Sequence, residues 1–355
     1  VSQTEIITHT LTEGVLLPLL IGLEQEGDDY PHSALVNGFT TLPSNMALGA
    51  TWNVADAEAA GVIVGQELRS VGINLLLGPS LDVIGQPRPG MRGDLGVRAF
   101  GGSPYWVGKL GEAYVRGVHQ GSEGMVATVV KHFPGQGASD RRPDEEVATV
   151  QKSLEILKQV ELPPFVAVTK GVPNARESPG VTEAMMSSHT RYRGFQGNIR
   201  QLTPPISLAS QLQDVLALPE FGSWREGGGV LISDVLGALG IKRVYDPELR
   251  HFPARQIAQD AFLAGNDLLY LSQFSLSDQW EEELANIEET IQFFQEKYQT
   301  DNAFQVQVDE AVRRIIGLKA RLYPEAKWES IVSRPSLPAE VVGQDTGVTM
   351  QIAKA

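Results

Sequence analysis

Short apolar runs that stop abruptly at polar residues recur along this chain. Leu16–Leu23 leads into Glu24-Gln25-Glu26, Ile73–Leu77 into Gly78-Pro79-Ser80-Leu81-Asp82, and Met125–Val130 into Lys131-His132. Further on, Ala184–Met186 leads into Ser187-Ser188-His189, Gly229–Ser233 into Asp234, and Asp267–Leu271 into Ser272. Runs this short and this continuously apolar predict strands buried on both faces, as in a parallel sheet. Helical spacing fills most of the gaps. Ser103-Pro104 suits a cap and first turn, followed by Val107, Leu110, Tyr114 and Val118. Asn53 opens another helix that Gly72 closes, and Ser207 caps a third carrying Leu212, Val215 and Leu216. Residues 254–264 predict a short helix, and residues 278–322 two longer ones.

Alternating strands and helices imply a parallel α/β fold. Six strand ends that all carry polar groups favour a (β/α)8 TIM-type barrel over a doubly wound sheet, because a barrel gathers those ends at one mouth. Six strands are visible, so the expectation is a barrel lacking its first strand–helix segment in this chain. The start, Val1-Ser2-Gln3-Thr4-Glu5, reads as the middle of a helix with an upstream part missing. Residues 1–323 are expected to form the barrel domain, and residues 324–355 a linker or the start of a further domain.

Composition narrows the function. The chain has 355 residues, 42% of them hydrophobic, enough for a sizeable core, and a net charge of −14 from 29 basic and 43 acidic residues. That balance argues against nucleic acid or an anionic membrane as the main partner and suits a neutral or cationic small substrate. Cysteine is absent, which removes disulfides, thiolate catalysis and cysteine zinc sites. No His/Asp/Glu cluster has metal-ligand spacing, so neither metal nor cofactor is expected. No apolar run approaches the ~18–20 residues that span a bilayer. The compartment stays open, with a soluble cytoplasmic protein favoured, and oligomeric state is not legible.

Candidate chemistry follows from the strand ends. Asp234 could simply cap a helix, but Val235 through Gly240 makes a poor first turn and a plausible close approach to ligand. Lys131 and His132 are neighbours, so on a regular strand they point to opposite faces. Both reach one pocket only if the backbone kinks, and Phe133-Pro134 makes a kink or a cis bond plausible. The polar loop at residues 135–146 could supply an acid or base from Asp140 or Asp144, whereas Glu145 and Glu146 read as solvated surface. Glu24, Asp82, Arg98 and His189 lie at or just after other strand ends and together describe a pocket fit for a polyhydroxylated ligand.

These pieces resemble glycoside hydrolase family 3. Lys131-His132-Phe133-Pro134-Gly135 and Ile232-Ser233-Asp234 resemble its strand-end and nucleophile motifs. The motifs at residues 22–27, 78–82, 98–101 and 185–189 fall in the family's order, closest to its β-N-acetylglucosaminidase branch. The resemblance implies a barrel that removes a terminal β-linked sugar with retention, N-acetylglucosamine rather than glucose. It implies Asp234 as nucleophile, and Glu24, Asp82, Arg98, Lys131, His132 and His189 as groups holding the sugar. That branch carries a second histidine where Gln136 stands, and an Asp-Ser-His where Arg142-Pro143-Asp144 falls. Asp144 is therefore the first choice of acid/base by position, and Asp140 the second. Two rival readings remain: a Schiff-base aldolase using Lys131, and a non-catalytic sugar-binding barrel.

Overall fold

The structure, a computed structural model, describes residues 18–86, 95–200 and 203–324. Five strands form one parallel sheet: β1 (Gly22–Leu23), β2 (Leu75–Leu76), β3 (Ala127–Phe133), β5 (Ala184–Ser187) and β7 (Val230–Ser233), in that order. A parallel bridge from Ile232 to Leu268 adds a sixth strand position beyond β7. β4 (Ala148–Val150) and β6 (Thr190–Tyr192) pair separately, also in parallel. The two ends of the sheet order approach each other. Tyr270, just past the sixth position, lies near enough to Glu24, just past β1, for that carboxylate to disfavour its phenolate. The architecture is a TIM-type barrel, with six parallel strand positions among the described residues.

Alternation along the strands sorts the core into two shells. Leu75, Leu77, Ala127, Val129, Ala184, Met186, Val230 and Ile232 pack together with Leu318 and Leu322 of the last helix. Leu76, Val130, Met185 and Leu231 pack outward against the helices. By this alternation Lys131 and Asp234 face inward. Phe133 should too, yet it belongs to the outer shell, against Phe165 and Phe221. The strand changes face between these points, where its register to β5 shifts between Val130 and Phe133. The Lys131-His132 and Phe133-Pro134 peptides are both cis.

Helix α1 (Val54–Ser70) and helix α2 (Pro104–Gly121) cover β1 to β3. They touch backbone to backbone. A Cβ on Gly61 or Gly65 would stand 2.3 or 2.2 Å from carbonyl oxygens of α2, so only glycine allows this approach. Later helices are α3 (Ala254–Leu263), α4 (Trp280–Thr300) and α5 (Asn302–Leu322). No helix among the described residues is long and apolar enough to cross a membrane.

Several expectations need correction. β3 does not stop at Lys131 but runs on through Phe133, because Lys131 finds carboxylate partners inside the barrel. Ser207 caps no helix: it lies in a short 3-10 turn, and the following helix begins at Gln211. Asn53 does cap α1, accepting from Ala55 N, and Ser103 precedes α2 without a side-chain cap bond. The glycines after Asp234 approach protein rather than open space. A Cβ on Gly237 would meet the Gln273 carbonyl at 2.0 Å, and one on Gly240 the Pro143 carbonyl at 2.3 Å. The start of the chain and residues 325–355 lie outside the described residues.

Candidate active site

The mouth of the barrel is built from strand ends, each contributing one or two polar groups. After β1, Glu24 and Glu26 stand two residues apart and therefore on one face. Lys131 Nζ sits between them, 2.6 Å from Glu24 and 3.4 Å from Glu26, its side chain fully buried. Arg98 Nε donates to Glu26 at 2.7 Å and its guanidinium stands 4.0 Å from Glu24. Burial raises the Glu24 carboxyl, but Lys131 and Arg98 outweigh burial and hold it at about 2. Two carboxylates and two cations so arranged offer both donors and acceptors, with Glu24 half exposed to the cleft. Such a set suits a sugar's hydroxyl pairs.

His132 stands on the other side of Lys131. Its Nδ1 is 2.7 Å from Asp82, so Nε2 is the nitrogen available to a ligand. Asp82 is placed differently from expectation. It is fully buried, accepting also from Gln136 N at 2.6 Å and Ser80 Oγ at 2.8 Å, and it orients His132 rather than touching a ligand. Burial alone would raise its carboxyl; His132 and these donors depress it below 3.8. Asp82→Ala would strand three buried donors, at about 3–5 kcal/mol of stability. Because the folded carboxyl is depressed, this contribution is present above pH 3.8 and lost as pH falls further. Urea unfolding of parent and variant is therefore expected to differ by that amount at pH 7 and to converge in acid.

Asp234 ends β7 with its Oδ1 accepting from Val235 N at 2.8 Å. The next helix begins only at Leu239, so Asp234 is not a helix cap. His189 is also placed differently from expectation. Both its ring nitrogens are engaged, Nδ1 with Ser207 Oγ at 2.8 Å and Nε2 with the Val235 carbonyl at 2.9 Å. It braces the backbone beside Asp234 and has no nitrogen left for a sugar.

The loop after β3 brings Asp144 to the same mouth. Gly240 N donates to the Asp144 carbonyl at 2.9 Å, fastening the loop to the segment that follows Asp234. Asp144 is exposed, yet the surrounding protein partly desolvates its carboxyl group. That desolvation raises its carboxyl, the charge of Asp234 raises it further, and His132, His189 and Arg98 oppose only in part. Asp140 goes elsewhere. It accepts from Thr149 N at 2.8 Å and pairs with Arg141 at 3.0 Å, closing the loop on β4. Gln136 is likewise turned inward, its Oε1 accepting from Ser188 Oγ at 2.6 Å, so this position does not face the cleft.

Three residues of the site were not singled out by sequence. Glu26 carried a usable signal, its two-residue spacing from Glu24. Tyr270 is exposed, where the charges of both Glu24 and Asp234 reach it, and its signal was a tyrosine inside a strand-like run. Ser207, partner of His189, gave none.

The model of the glycosyl hydrolase family 3 N terminal domain matches residues 3–318. The chain belongs to glycosyl hydrolase family 3. β-Hexosaminidase A of Pseudoalteromonas piscicida is 26% identical over 332 residues, covering 90% of this chain and 50% of its own length. The β-hexosaminidase of Pseudomonas aeruginosa is 30% identical over 252 residues, 70% of this chain and 67% of that protein. A solved family 3 β-N-acetylglucosaminidase from Paenibacillus sp. str. FPU-7 superposes with a TM-score of 0.72 at 28% identity, covering 95% of this chain and 55% of that one. The chain thus spans between half and two thirds of the length of these relatives.

Proposed function

We propose that this protein is a retaining, exo-acting β-glycosidase that releases terminal β-linked N-acetylglucosamine in preference to glucose. The observation that carries the reading is that the loop after β3, held to the segment following Asp234 by Gly240 N on the Asp144 carbonyl at 2.9 Å, brings a second carboxyl group to the mouth. Asp144 is pushed toward its neutral form by desolvation and by the charge of Asp234. A proton donor beside an ionised nucleophile is what a two-carboxylate glycosidase requires. Retaining pairs stand about 5–5.5 Å apart, close enough for one charge to act on the other.

In the first step an Asp234 oxygen bonds to the anomeric carbon as the glycosidic C–O bond breaks, and Asp144 gives its proton to the departing oxygen. In the second, Asp144 takes a proton from water, whose oxygen displaces Asp234 and restores the β configuration. Lys131, Arg98, Glu24 and His132 Nε2 hold the ring's hydroxyls, with gains that grow as the ring flattens toward an oxocarbenium-like transition state. Relatives named as β-hexosaminidases and a β-N-acetylglucosaminidase support N-acetylglucosamine as the sugar.

The aldolase reading loses support because the Lys131 nitrogen is already held by two carboxylates, whereas a Schiff-base amine must present a free lone pair. The non-catalytic reading rested on the loop histidine this chain lacks; Gln136 is turned inward, and a carboxyl group, Asp144, falls where the acid/base histidine would stand. The test is a panel of aryl β-glycosides with the released anomer followed by NMR. Faster turnover of the N-acetylglucosaminide, with β product released first, is expected. Preference for the glucoside would overturn the sugar assignment, α product the mechanism, and binding without turnover the enzyme.

A further inference from the structure

The loop that delivers Asp144 leaves the barrel at Gly135 and returns through β4 to Lys152. Both of its ends meet one buried carboxyl. Glu161, fully buried, accepts a hydrogen bond from Lys152 Nζ through Oε1. Gly135, at φ 109°, passes so close that a Cβ there would lie 2.8 Å from both Cβ and Oε2 of Glu161. Oε2 is buried without a hydrogen-bond partner among the described residues. Glu161 closes a π-helical stretch, Leu157–Glu161, between the helical turns Leu154–Ile156 and Leu162–Ala167. Such bulges recur at functional sites.

We propose that Glu161 is a positioning residue for Asp144: by pairing with Lys152 at one end of the 135–152 loop and packing against Gly135 at the other, it sets where the acid/base stands over Asp234. The inference rests on the roles given to Asp144 and Asp234 above. Stability alone does not account for the arrangement. A buried Lys–Glu pair is seldom worth more than apolar residues of the same volume, and burial lifts the Glu161 carboxyl to about 7 despite Lys152, with Asp82 pushing the same way. What the pair supplies is geometry, and displacement of a catalytic group by about 1 Å can cost up to about 10²-fold in rate.

The test compares kcat/KM of parent, Glu161→Gln and Lys152→Met on aryl β-N-acetylglucosaminides with poor and with activated leaving groups. A displaced Asp144 slows only substrates that need its proton. Both variants are expected to lose about 10- to 100-fold on the poor leaving group while staying within about twofold on the activated one. Equal slowing of both substrates, or a lowered melting temperature with unchanged selectivity, overturns the role of Glu161. If Glu161→Gln does not fold, Lys152→Met decides alone, since Lys152 is partly exposed and the Glu161 carboxyl it leaves, lifted to about 7, takes up a proton readily. Turnover by the parent with unselective variants refutes only this inference. A parent that hydrolyses neither substrate refutes the functional reading and this inference with it.

Discussion

Asp234→Asn is expected to abolish hydrolysis of every aryl β-glycoside the protein accepts while leaving it folded. The amide keeps an oxygen to accept from Val235 N, so the local backbone has no reason to move. Its lone pairs, however, cannot form and release a glycosyl ester. Loss of a covalent nucleophile costs on the order of 10⁴–10⁶-fold in kcat, whereas unfolding should change by less than about 1 kcal/mol. Steady-state kinetics beside thermal unfolding separates the two effects. Retained turnover would remove Asp234 from the mechanism, and lost turnover with a lost fold would say nothing about chemistry, which is why both are measured on one preparation.

Asp144→Ala has the second largest expected effect, and its signature is selectivity. Without the proton donor, kcat/KM for poor leaving groups should fall on the order of 10²–10⁴-fold. Activated aryl leaving groups depart without a proton, so their kcat/KM should fall by less than about tenfold. The pH profile gives a second view. The Asp144 carboxyl is raised by desolvation and by Asp234, so it stays protonated to higher pH than an ordinary aspartic acid. The first step consumes that proton, so parent activity on poor leaving groups falls as pH rises through the raised value. The variant should lack that basic limb. Equal slowing of both substrate types, or a basic limb that survives, would exclude Asp144 as the acid.

The strands were legible because the barrel buries them on both faces, which leaves continuous apolar runs whatever the side. Their limits were less so. β1 is only two residues long, and β3 runs past Lys131 because Glu24 and Glu26, over a hundred residues earlier, compensate the charge. One-dimensional patterning cannot anticipate a partner at that distance. The same limit explains the site. Glu24, Arg98, Lys131, His132 and Asp234 were readable as polar groups at strand ends. Asp82 and His189 looked equivalent, yet their oxygens and nitrogens are used by His132, Gln136, Ser207 and Val235, which only folding brings near. Asp144 was found by position in the loop, and its separation from Asp140 came from Gly240, whose lack of a side chain lets the loop dock. That glycine had suggested room for a ligand instead.

The central claim is that a sugar becomes covalently attached to Asp234. The most direct measurement is to treat the protein with a fluorinated β-glycoside that forms the glycosyl-enzyme faster than water releases it, then map the added mass by peptide sequencing in a mass spectrometer. One sugar per chain, on the peptide holding Ile232-Ser233-Asp234 and at the aspartate, is the expected result. A sugar fixed to any other side chain, or steady turnover with no adduct and an inverted product, would contradict it.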